Sequence, residues 1–319
     1  MDAETAPRAF QTSGRIWLKD FDFRLNGLKV RKTGAWVPYS PDILNQVWAW
    51  FRFFARVQAI RPASPSFTIA FTPERARPWY LIWAVTRVAG AKVVQDLARA
   101  DVVVHFEDST YSPNPTPTHL KPGARLLNFR CRDISKSNVE RVFGEAFGYP
   151  LAVDPSQHVG PAVEKNEINA AHDGRIVQCP TRALPGRTYQ RLIDSRAFNP
   201  ALVEDLRTCM VGGKPGCVFI KRRPIAKRFL NTNCEVLLAR PEDVFSAAEI
   251  ARIEIFADRL GVEWGGLDVL RDRADGRLYI VDANKTDLGP PIAMRLKDKI
   301  RTVHVLAEAF RAYLQRTAH

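Results

Sequence analysis

The sequence predicts an N-terminal α/β unit followed by a C-terminal α+β region. Strand-like and helix-like segments alternate between residues 67 and 106, an order typical of a small parallel sheet with a crossover helix. Beyond residue 150 the chain changes to short strand-like segments separated by glycine-containing turns. We therefore expect a hairpin with an aromatic helix in 1–60, the α/β unit in 61–150 and the α+β region in 151–319.

The composition indicates a folded, basic protein of about two domains. The chain has 319 residues, of which 46% are hydrophobic, and a net charge of +13. This charge favours an anionic partner, such as nucleic acid, a membrane surface, a nucleotide or an acidic substrate. Its five cysteines lack CxxC spacing, which fits a reducing compartment. We see no secretory signal and no apolar run near the ~18 residues of a spanning helix, so we expect a cytoplasmic protein without a membrane segment.

The first sixty residues contain a hairpin pattern and an aromatic helix. Apolar residues alternate over 21–25 before Asn26-Gly27, which predicts a hairpin turn. Asp42 is expected to cap a helix over about 43–58, where aromatic residues recur at helical spacing. Such a stripe can contact a membrane or a partner, but we favour packing in the core or between domains.

The remaining elements follow from periodicity and capping. In the α/β unit we expect a helix over about 77–89 and strands at 67–71, 91–95, 101–106 and 125–130. Ser135 or Ser137 is expected to cap a helix that ends before Gly148. Ser246 and Glu249 form a capping-box pattern, which opens a helix to Leu260. Beyond residue 150 we also expect a last helix over 301–315 and strands at 175–179, 187–193, 205–211 and 217–221.

The segment 265–291 carries the strongest functional pattern. Two apolar runs flank Asp275-Gly276, and a hairpin centred there places Asp268 opposite Asp282. Asn284 follows Asp282 by two positions and is expected on the same face. Three hard oxygen donors would then converge, a set that suits Mg²⁺.

The alternative for this hairpin is a pair of aspartates on a solvent-exposed face. Leu278 and Ile280 argue against it, because by alternation they share a strand face with Asp282 and Asn284. We therefore favour the metal site.

Several basic residues fall on or beside predicted strands and could bind phosphates. Lys165, Arg207 and Lys221 are the candidates, and 221–228 holds five positive charges, although most charge runs are solvated loops. The small polar loop 169–174 could fold over a triphosphate and offer backbone N–H groups. His172 within it is a phosphate contact, an acid or an ordinary surface residue. The chain has no P-loop pattern, so this site would be of another kind.

These residues resemble the ATP-grasp superfamily over about 150–291, and the preceding α/β unit resembles the pre-ATP-grasp domain of such enzymes. Asp268 followed by Asp282-Ala-Asn284 resembles the family's acidic, acidic-x-Asn metal signature, with Asp282 where Glu is commoner. Asp205-Leu-Arg207 followed by Gly212-Gly213 resembles ligases that add glutamate to peptides.

The resemblance implies ATP and Mg²⁺ bound between two α+β subdomains, with one or two metal ions. It implies that Asp268, Asp282 and Asn284 bind metal. It further implies nucleotide contacts from Lys165 and Lys221 and a strand that lines adenine with Tyr189, Gln190 and Leu192. Arg207 and Arg222 are then the candidates for stabilising an intermediate or holding an acidic substrate.

The function that follows is an ATP-dependent ligase, in which a carboxylate becomes an acylphosphate that an amine attacks. Small molecules or peptides would supply the two groups, and the basic charge suggests that at least one substrate is acidic. The alternatives are an ATP-grasp kinase, a catalytically inactive nucleotide-binding relative, and a basic protein that binds nucleic acid or another polyanion. No nucleic-acid-binding motif is present in the sequence. The oligomeric state stays open.

Overall fold

The computed structural model describes residues 16–113, 116–169, 171, 173–230 and 232–316. Within these ranges, none of the helices is both long enough and apolar enough to cross a lipid bilayer.

The N-terminal segment forms a small antiparallel sheet followed by one long helix. The sheet has strands β1 (Phe21–Arg24), β2 (Gly27–Val30) and β3 (Trp36–Pro38). Helix α1 (Pro41–Ala59) starts two residues before the predicted position. Its cap is Ser40, whose side chain accepts a hydrogen bond from the Ile43 backbone N–H, because Pro41 at the first helical position moves the helix start ahead of Asp42.

The next segment is the predicted parallel α/β unit. Its four strands run in the spatial order β5-β4-β6-β7, and all pairs are parallel. The elements are β4 (Phe67–Pro73), α2 (Leu81–Val88), β5 (Ala91–Val93), β6 (Val102–Phe106) and β7 (Arg125–Leu127). Helix α3 (Lys136–Phe147) follows. Its cap is Ser135, one of the two predicted candidates, and Gly148 at its end has the left-handed conformation.

Two antiparallel sheets make up the C-terminal region. The smaller has the order β10-β8-β9, from β8 (Gly160–Asn166), β9 (Arg175–Cys179) and β10 (Arg187–Arg191). The larger has the order β13-β12-β11-β14-β15. Its strands are β11 (Leu202–Val211), β12 (Lys214–Pro224), β13 (Glu235–Ala239), β14 (Trp264–Arg271) and β15 (Leu278–Asn284). Strands β8 and β13 were not predicted from the sequence.

Three further helices complete the C-terminal region. They are α4 (Pro241–Val244), α5 (Ala247–Leu260) and α6 (Leu296–Arg316). The predicted capping box at Ser246 and Glu249 is present, and Gly261 ends α5 in the left-handed conformation. Helix α6 starts five residues before the predicted position.

Two apolar cores lie on opposite faces of the five-stranded sheet. Cys209 and Val211 of β11 belong to a core with α1, α2, the parallel sheet and α6. Leu206 and Met210 of the same strand belong to a core with α3 and α5. The first core takes residues from all three predicted segments, so the division at residues 60 and 150 stays a prediction.

A buried asparagine ties the parallel sheet to the five-stranded sheet. Asn128 directly follows β7, is fully buried and has a positive φ of 62°. Its Oδ1 accepts hydrogen bonds from the Glu263 and Trp264 backbone N–H groups, both at 2.9 Å, and its Nδ2 donates to the Trp264 carbonyl at 2.8 Å. These bonds fix the start of β14, the strand that carries Asp268.

We expect Asn128→Ala to lower the free energy of unfolding by about 2–4 kcal/mol, because it leaves buried backbone groups without partners. Chemical denaturation measures the loss. Asn199→Ala is the control, since Asn199 bonds a backbone N–H in an exposed turn, and it should cost less than ~1 kcal/mol. Equal losses in the two variants would contradict this role.

Candidate active site

The predicted pairing of Asp268 with Asp282 is present, and a β-bulge produces it. Near the turn, Leu270 lies opposite Tyr279 and Val269 opposite Ile280. The register then shifts by one residue, so that Asp268 lies opposite Asp282. Without this shift Val281 would occupy the position opposite Asp268.

The bulge also corrects the argument that favoured a metal site over a solvent-exposed pair of aspartates. Asp268 and Val269 are neighbours on one strand and point to opposite faces. Their partners Asp282 and Ile280 therefore also lie on opposite faces, despite a spacing of two residues. Ile280 and Leu278 are buried in the second core, whereas Asp282 and Asn284 line a cleft. The expectation that these apolar residues share a face with the metal candidates was wrong.

Arg207, Asp268 and Asp282 form one row across three neighbouring strands. Arg207 lies opposite Asp268, and Asp268 opposite Asp282. The Arg207 Nη1 lies 2.9 Å from Asp268 Oδ1, and its Nη2 lies 2.7 Å from Asp287 Oδ1. The guanidinium is thus held between two carboxylates with its side chain 10% exposed.

Position 266 must be glycine because the Arg207–Asp287 ion pair occupies the space where a Cβ would lie. A Cβ built there would lie 2.5 Å from the Asp287 Oδ2 and 2.7 Å from the Arg207 Cζ. Any other residue would therefore displace the Arg207–Asp287 pair.

A second basic side chain stands beside the row. The Lys221 Nζ lies 2.8 Å from Asp205 Oδ2 and 3.3 Å from Asp268 Oδ1. Burial by itself would raise the pKa of Asp268, but Arg207 and Lys221 outweigh it and hold that pKa well below its ordinary value. Asp268 is therefore a carboxylate at neutral pH.

Helix α3 supplies a third cation, which the sequence analysis did not identify. The Lys136 Nζ lies 2.6 Å from Asp282 Oδ1 and 2.7 Å from Asn169 Oδ1. Lys136 is the first residue of α3, where a positive charge opposes the helix dipole. A lysine at this unfavourable position is the signal in the sequence that could have pointed to a role in the site.

The smaller antiparallel sheet forms the facing wall. Lys165, Val163 and Gln190 share one face, because Gln190 lies opposite Val163, and all three line the cleft. Gln190 donates a 2.9 Å hydrogen bond to Glu140. Burial, and next the neighbouring Lys136, lower the pKa of Lys165 to about 8.

Three predicted site residues lie elsewhere. Tyr189 lies opposite Glu164 on the other face of β10, and its hydroxyl donates to Glu164 at 3.0 Å, away from the cleft. Leu192 is not among the residues that line the cleft, whereas the neighbouring Ile193 is. Arg222 is paired with Glu204 and Glu235, both within 2.9 Å. Alternation along the strands explains Tyr189 and Arg222, since one position separates the two faces, whereas Leu192 lies one residue beyond the end of β10.

Arg223 takes the place in the cleft that the sequence analysis gave to Arg222. Its Nη2 lies 2.8 Å from Asp205 Oδ2, and its side chain is buried. The predicted loop 169–174 reaches the cleft through Asn169, Ala171, Asp173 and Gly174, while His172 lies outside the described residues.

The cleft has a volume of about 810 Å³, and its lining falls into two chemically different sets of residues. The first, which we call the charged end, holds the row of Arg207, Asp268 and Asp282 together with Lys136, Lys165 and Lys221. The second, which we call the aromatic end, consists of aromatic and proline residues, namely Trp50, Phe53, Trp79, Tyr80, Pro290 and Pro291.

The donor set at the charged end fits Mg²⁺. Asp268 and Asp282 contribute carboxylate oxygens, and Asn284 follows on the same face. The Asn284 Oδ1 accepts a 2.8 Å hydrogen bond from the Thr286 N–H, which orients the amide. In the described part of the chain, no group of three or more His, Cys, Asp or Glu side chains is arranged to hold a metal. A metal here therefore needs the amide oxygen together with water or phosphate, as Mg²⁺ usually does.

Comparison with solved structures returns ATP-grasp proteins, the superfamily that the sequence resembles. The ATP-grasp ligase PsnB, in complex with a phosphomimetic precursor variant, Mg and ADP, is 11% identical with a TM-score of 0.48, over 78% of this chain and 98% of PsnB. A RimK-domain ATP-grasp protein from Sphaerobacter thermophilus is 15% identical with a TM-score of 0.44, over 78% of this chain and 99% of its own. The macrocyclase MdnB from Microcystis aeruginosa is 12% identical with a TM-score of 0.43, over 77% and 98%. No protein-family model and no curated protein matches the sequence.

The geometry predicts that Arg207 contributes more to stability than Arg222, the other arginine proposed as catalytic. We expect Arg207→Met to lower the free energy of unfolding by about 3–5 kcal/mol, because it leaves Asp268 and buried Asp287 without their shared cation. Arg222→Met should cost less than ~1 kcal/mol, since its pairs are half-exposed. Chemical denaturation of both variants tests this difference, and an equally small loss for Arg207→Met would refute the buried-pair assignment.

Proposed function

We propose that the chain is an ATP- and Mg²⁺-dependent ligase of the ATP-grasp type, which activates a carboxylate for attack by an amine. The observation that carries the proposal is the convergence of Asp268, Asp282 and Asn284 with four cations in one cleft. Those cations are Lys136, Lys165, Arg207 and Lys221. Oxygen donors for a hard metal, surrounded by phosphate-binding cations, are the equipment of phosphoryl transfer.

The nucleotide would lie between the smaller sheet and the five-stranded sheet. Lys165 from one wall and Lys136 and Lys221 from the other are placed to contact its phosphates. Val163 and Ile193 line the same cleft and offer apolar surface for the base. Asp268, Asp282 and Asn284 would hold Mg²⁺, which when bound neutralises phosphate charge and polarises the transferring group.

Arg207 is the residue we assign to the reacting carboxylate. Asp268 and Asp287 fix its guanidinium, so its orientation needs no rearrangement when substrate binds. The substrate carboxylate oxygen attacks the γ-phosphorus and ADP leaves, which forms an acylphosphate. The amine then attacks the acyl carbon, phosphate leaves, and the nitrogen loses a proton. A fixed cation beside the acyl oxygens stabilises the charge in both steps.

The carboxylate and amine would come from small molecules or a peptide. PsnB was solved in complex with its precursor peptide and AMPPNP. A peptide substrate for the present chain is part of the proposal, as is the formation of a carbon–nitrogen bond.

The first test is magnesium-dependent nucleotide binding. We expect ATP to raise the melting temperature of the protein only when Mg²⁺ is present, because a ligand of the native state stabilises it by mass action. Asp282→Asn should remove that magnesium dependence. It should also reduce ADP release in the presence of acids and amines by about a hundredfold or more, since a bound metal supplies several kcal/mol of charge stabilisation.

Asp275→Asn is the matched control for this test. Asp275 lies in the exposed turn of the same hairpin, where its Oδ1 accepts a hydrogen bond from the Arg277 N–H that asparagine can also accept. It should behave like the parent protein. Magnesium-independent binding, or turnover by Asp282→Asn near the parent rate, would exclude the proposed metal site. If ADP is released with a single phosphate acceptor and no amine, and the phosphorylated product is stable, the protein is a kinase instead.

The second test uses the lowered pKa of Lys165, about 8 in the free protein. Below pH 8 this lysine carries the charge that phosphates need, and above pH 8 nucleotide binding must take up a proton. We therefore expect ATP affinity to fall above pH 8, by up to roughly tenfold per pH unit. Lys165→Arg, whose guanidinium stays charged, should give a flat profile between pH 7 and 9 by calorimetry. A flat profile in the parent protein would remove Lys165 from the phosphate site.

A further inference from the structure

The aromatic end of the cleft combines residues of α1 and of the start of α2 with the segment that follows β15. Trp50 and Phe53 come from α1, and Tyr80 immediately precedes α2. The facing side is the segment after β15, where Tyr80 forms a β-bridge with Leu288. These residues offer flat apolar surface, which suits an aromatic or large aliphatic group.

One buried cation, Lys299, also lines the cleft. Its exposed fraction is 4%, and its Nζ donates a 3.0 Å hydrogen bond to the Ile292 carbonyl. Among the residues that the structure describes, no carboxylate lies within ion-pair distance of this ammonium group. Burial lowers the pKa of Lys299 without any acidic neighbour to offset the effect.

The three other lysines of the cleft each have an acidic neighbour. For Lys165 it is Asp282, whose charge raises the pKa of that lysine against the larger effect of burial. Lys136 pairs with Asp282 at 2.6 Å, and Lys221 pairs with Asp205 at 2.8 Å. Lys299 lies in the first turn of α6, where the helix dipole also disfavours a cation. A buried ammonium group without an acid costs stability, and an anionic ligand would offset that cost.

We propose that the aromatic end of the cleft binds the amine-bearing substrate, an amino acid or peptide terminus whose free carboxylate pairs with Lys299 and whose aromatic or large apolar side chain packs against Trp50, Phe53 and Tyr80. This inference rests on the proposed ligase function, and it assigns the class of the second substrate. The anchored carboxylate does not react. It orients the substrate, and the amine is the group that attacks the acyl carbon.

The probe for this subsite is L-phenylalanine, titrated by calorimetry into the full chain with Mg²⁺ and AMPPNP. Phenethylamine has the same ring and amine but lacks the carboxylate. We expect the parent protein to bind L-phenylalanine roughly tenfold or more tightly than phenethylamine, because only the first forms a charge-assisted bond to Lys299. Lys299→Met should abolish this preference by weakening L-phenylalanine alone, and Lys299→Arg should restore most of it.

Lys297→Met is the matched control, since Lys297 is an exposed lysine two positions earlier on the same helix. It should keep the full preference. A melting temperature for Lys299→Met at or above that of the parent would show that the loss is not a folding defect. If Lys299→Met does not fold, two other measurements test the subsite. One is the preference of the parent protein for L-phenylalanine over phenethylamine, and the other is the same preference in Lys299→Arg.

The outcomes separate this inference from the proposed function. Equal affinity for the two probes, no saturable binding of L-phenylalanine, or an unchanged preference in Lys299→Met would each overturn the carboxylate subsite. Magnesium-dependent ATP binding in the same preparations would leave the ligase proposal standing in those cases. If the parent protein shows no magnesium-dependent ATP binding, the ligase proposal is overturned, and with it the subsite proposal that rests on it.

Discussion

The charged end of the cleft depends on two carboxylates held beside each other by cations. Asp268 and Asp282 lie directly opposite on neighbouring strands, an arrangement that like charges disfavour. Arg207 and Lys221 offset the charge of Asp268, and Lys136 offsets that of Asp282. The three cations come from β11, β12 and α3, so the site exists only when these elements are packed together. Fold and site are therefore coupled through electrostatics as much as through the apolar cores.

The bulge in β15 is the local feature that makes this arrangement possible. A regular hairpin would place Val281 opposite Asp268 and would turn Asp282 toward the second core. The extra residue moves Asp282 and Asn284 to the cleft face while Leu278 and Ile280 remain buried. The position of the turn thus predicted the correct pairing, whereas simple alternation assigned Leu278 and Ile280 to the wrong face.

Much of the fold could be predicted from local signals. The capping box at Ser246, the cap at Ser135 and the Asp275-Gly276 turn each act within a few residues, and the structure contains all three. The face that a side chain occupies was harder to predict. Tyr189 and Arg222 are displaced from the cleft by one position, because strand alternation leaves two choices and the sequence gives no partner to decide between them. For Lys136 the sequence showed only an unfavourable position at the start of a helix, and it did not show the partner, because Asp282 is 146 positions away.

The aromatic lining of the cleft also explains why the first sixty residues matter to a site whose charged side chains come from α3, β8 and the five-stranded sheet. The resemblance to a known family does not extend to them, yet α1 contributes Trp50 and Phe53 to the cleft wall. Phe53 belongs to the same apolar core as Val303 of α6, so α1 and the helix that carries Lys299 are packed as one body. The proposed phosphoryl transfer would use the fixed charges of the five-stranded sheet, α3 and β8. The proposed choice of substrate would use the apolar surface that α1 contributes, so the two roles fall on different parts of the chain.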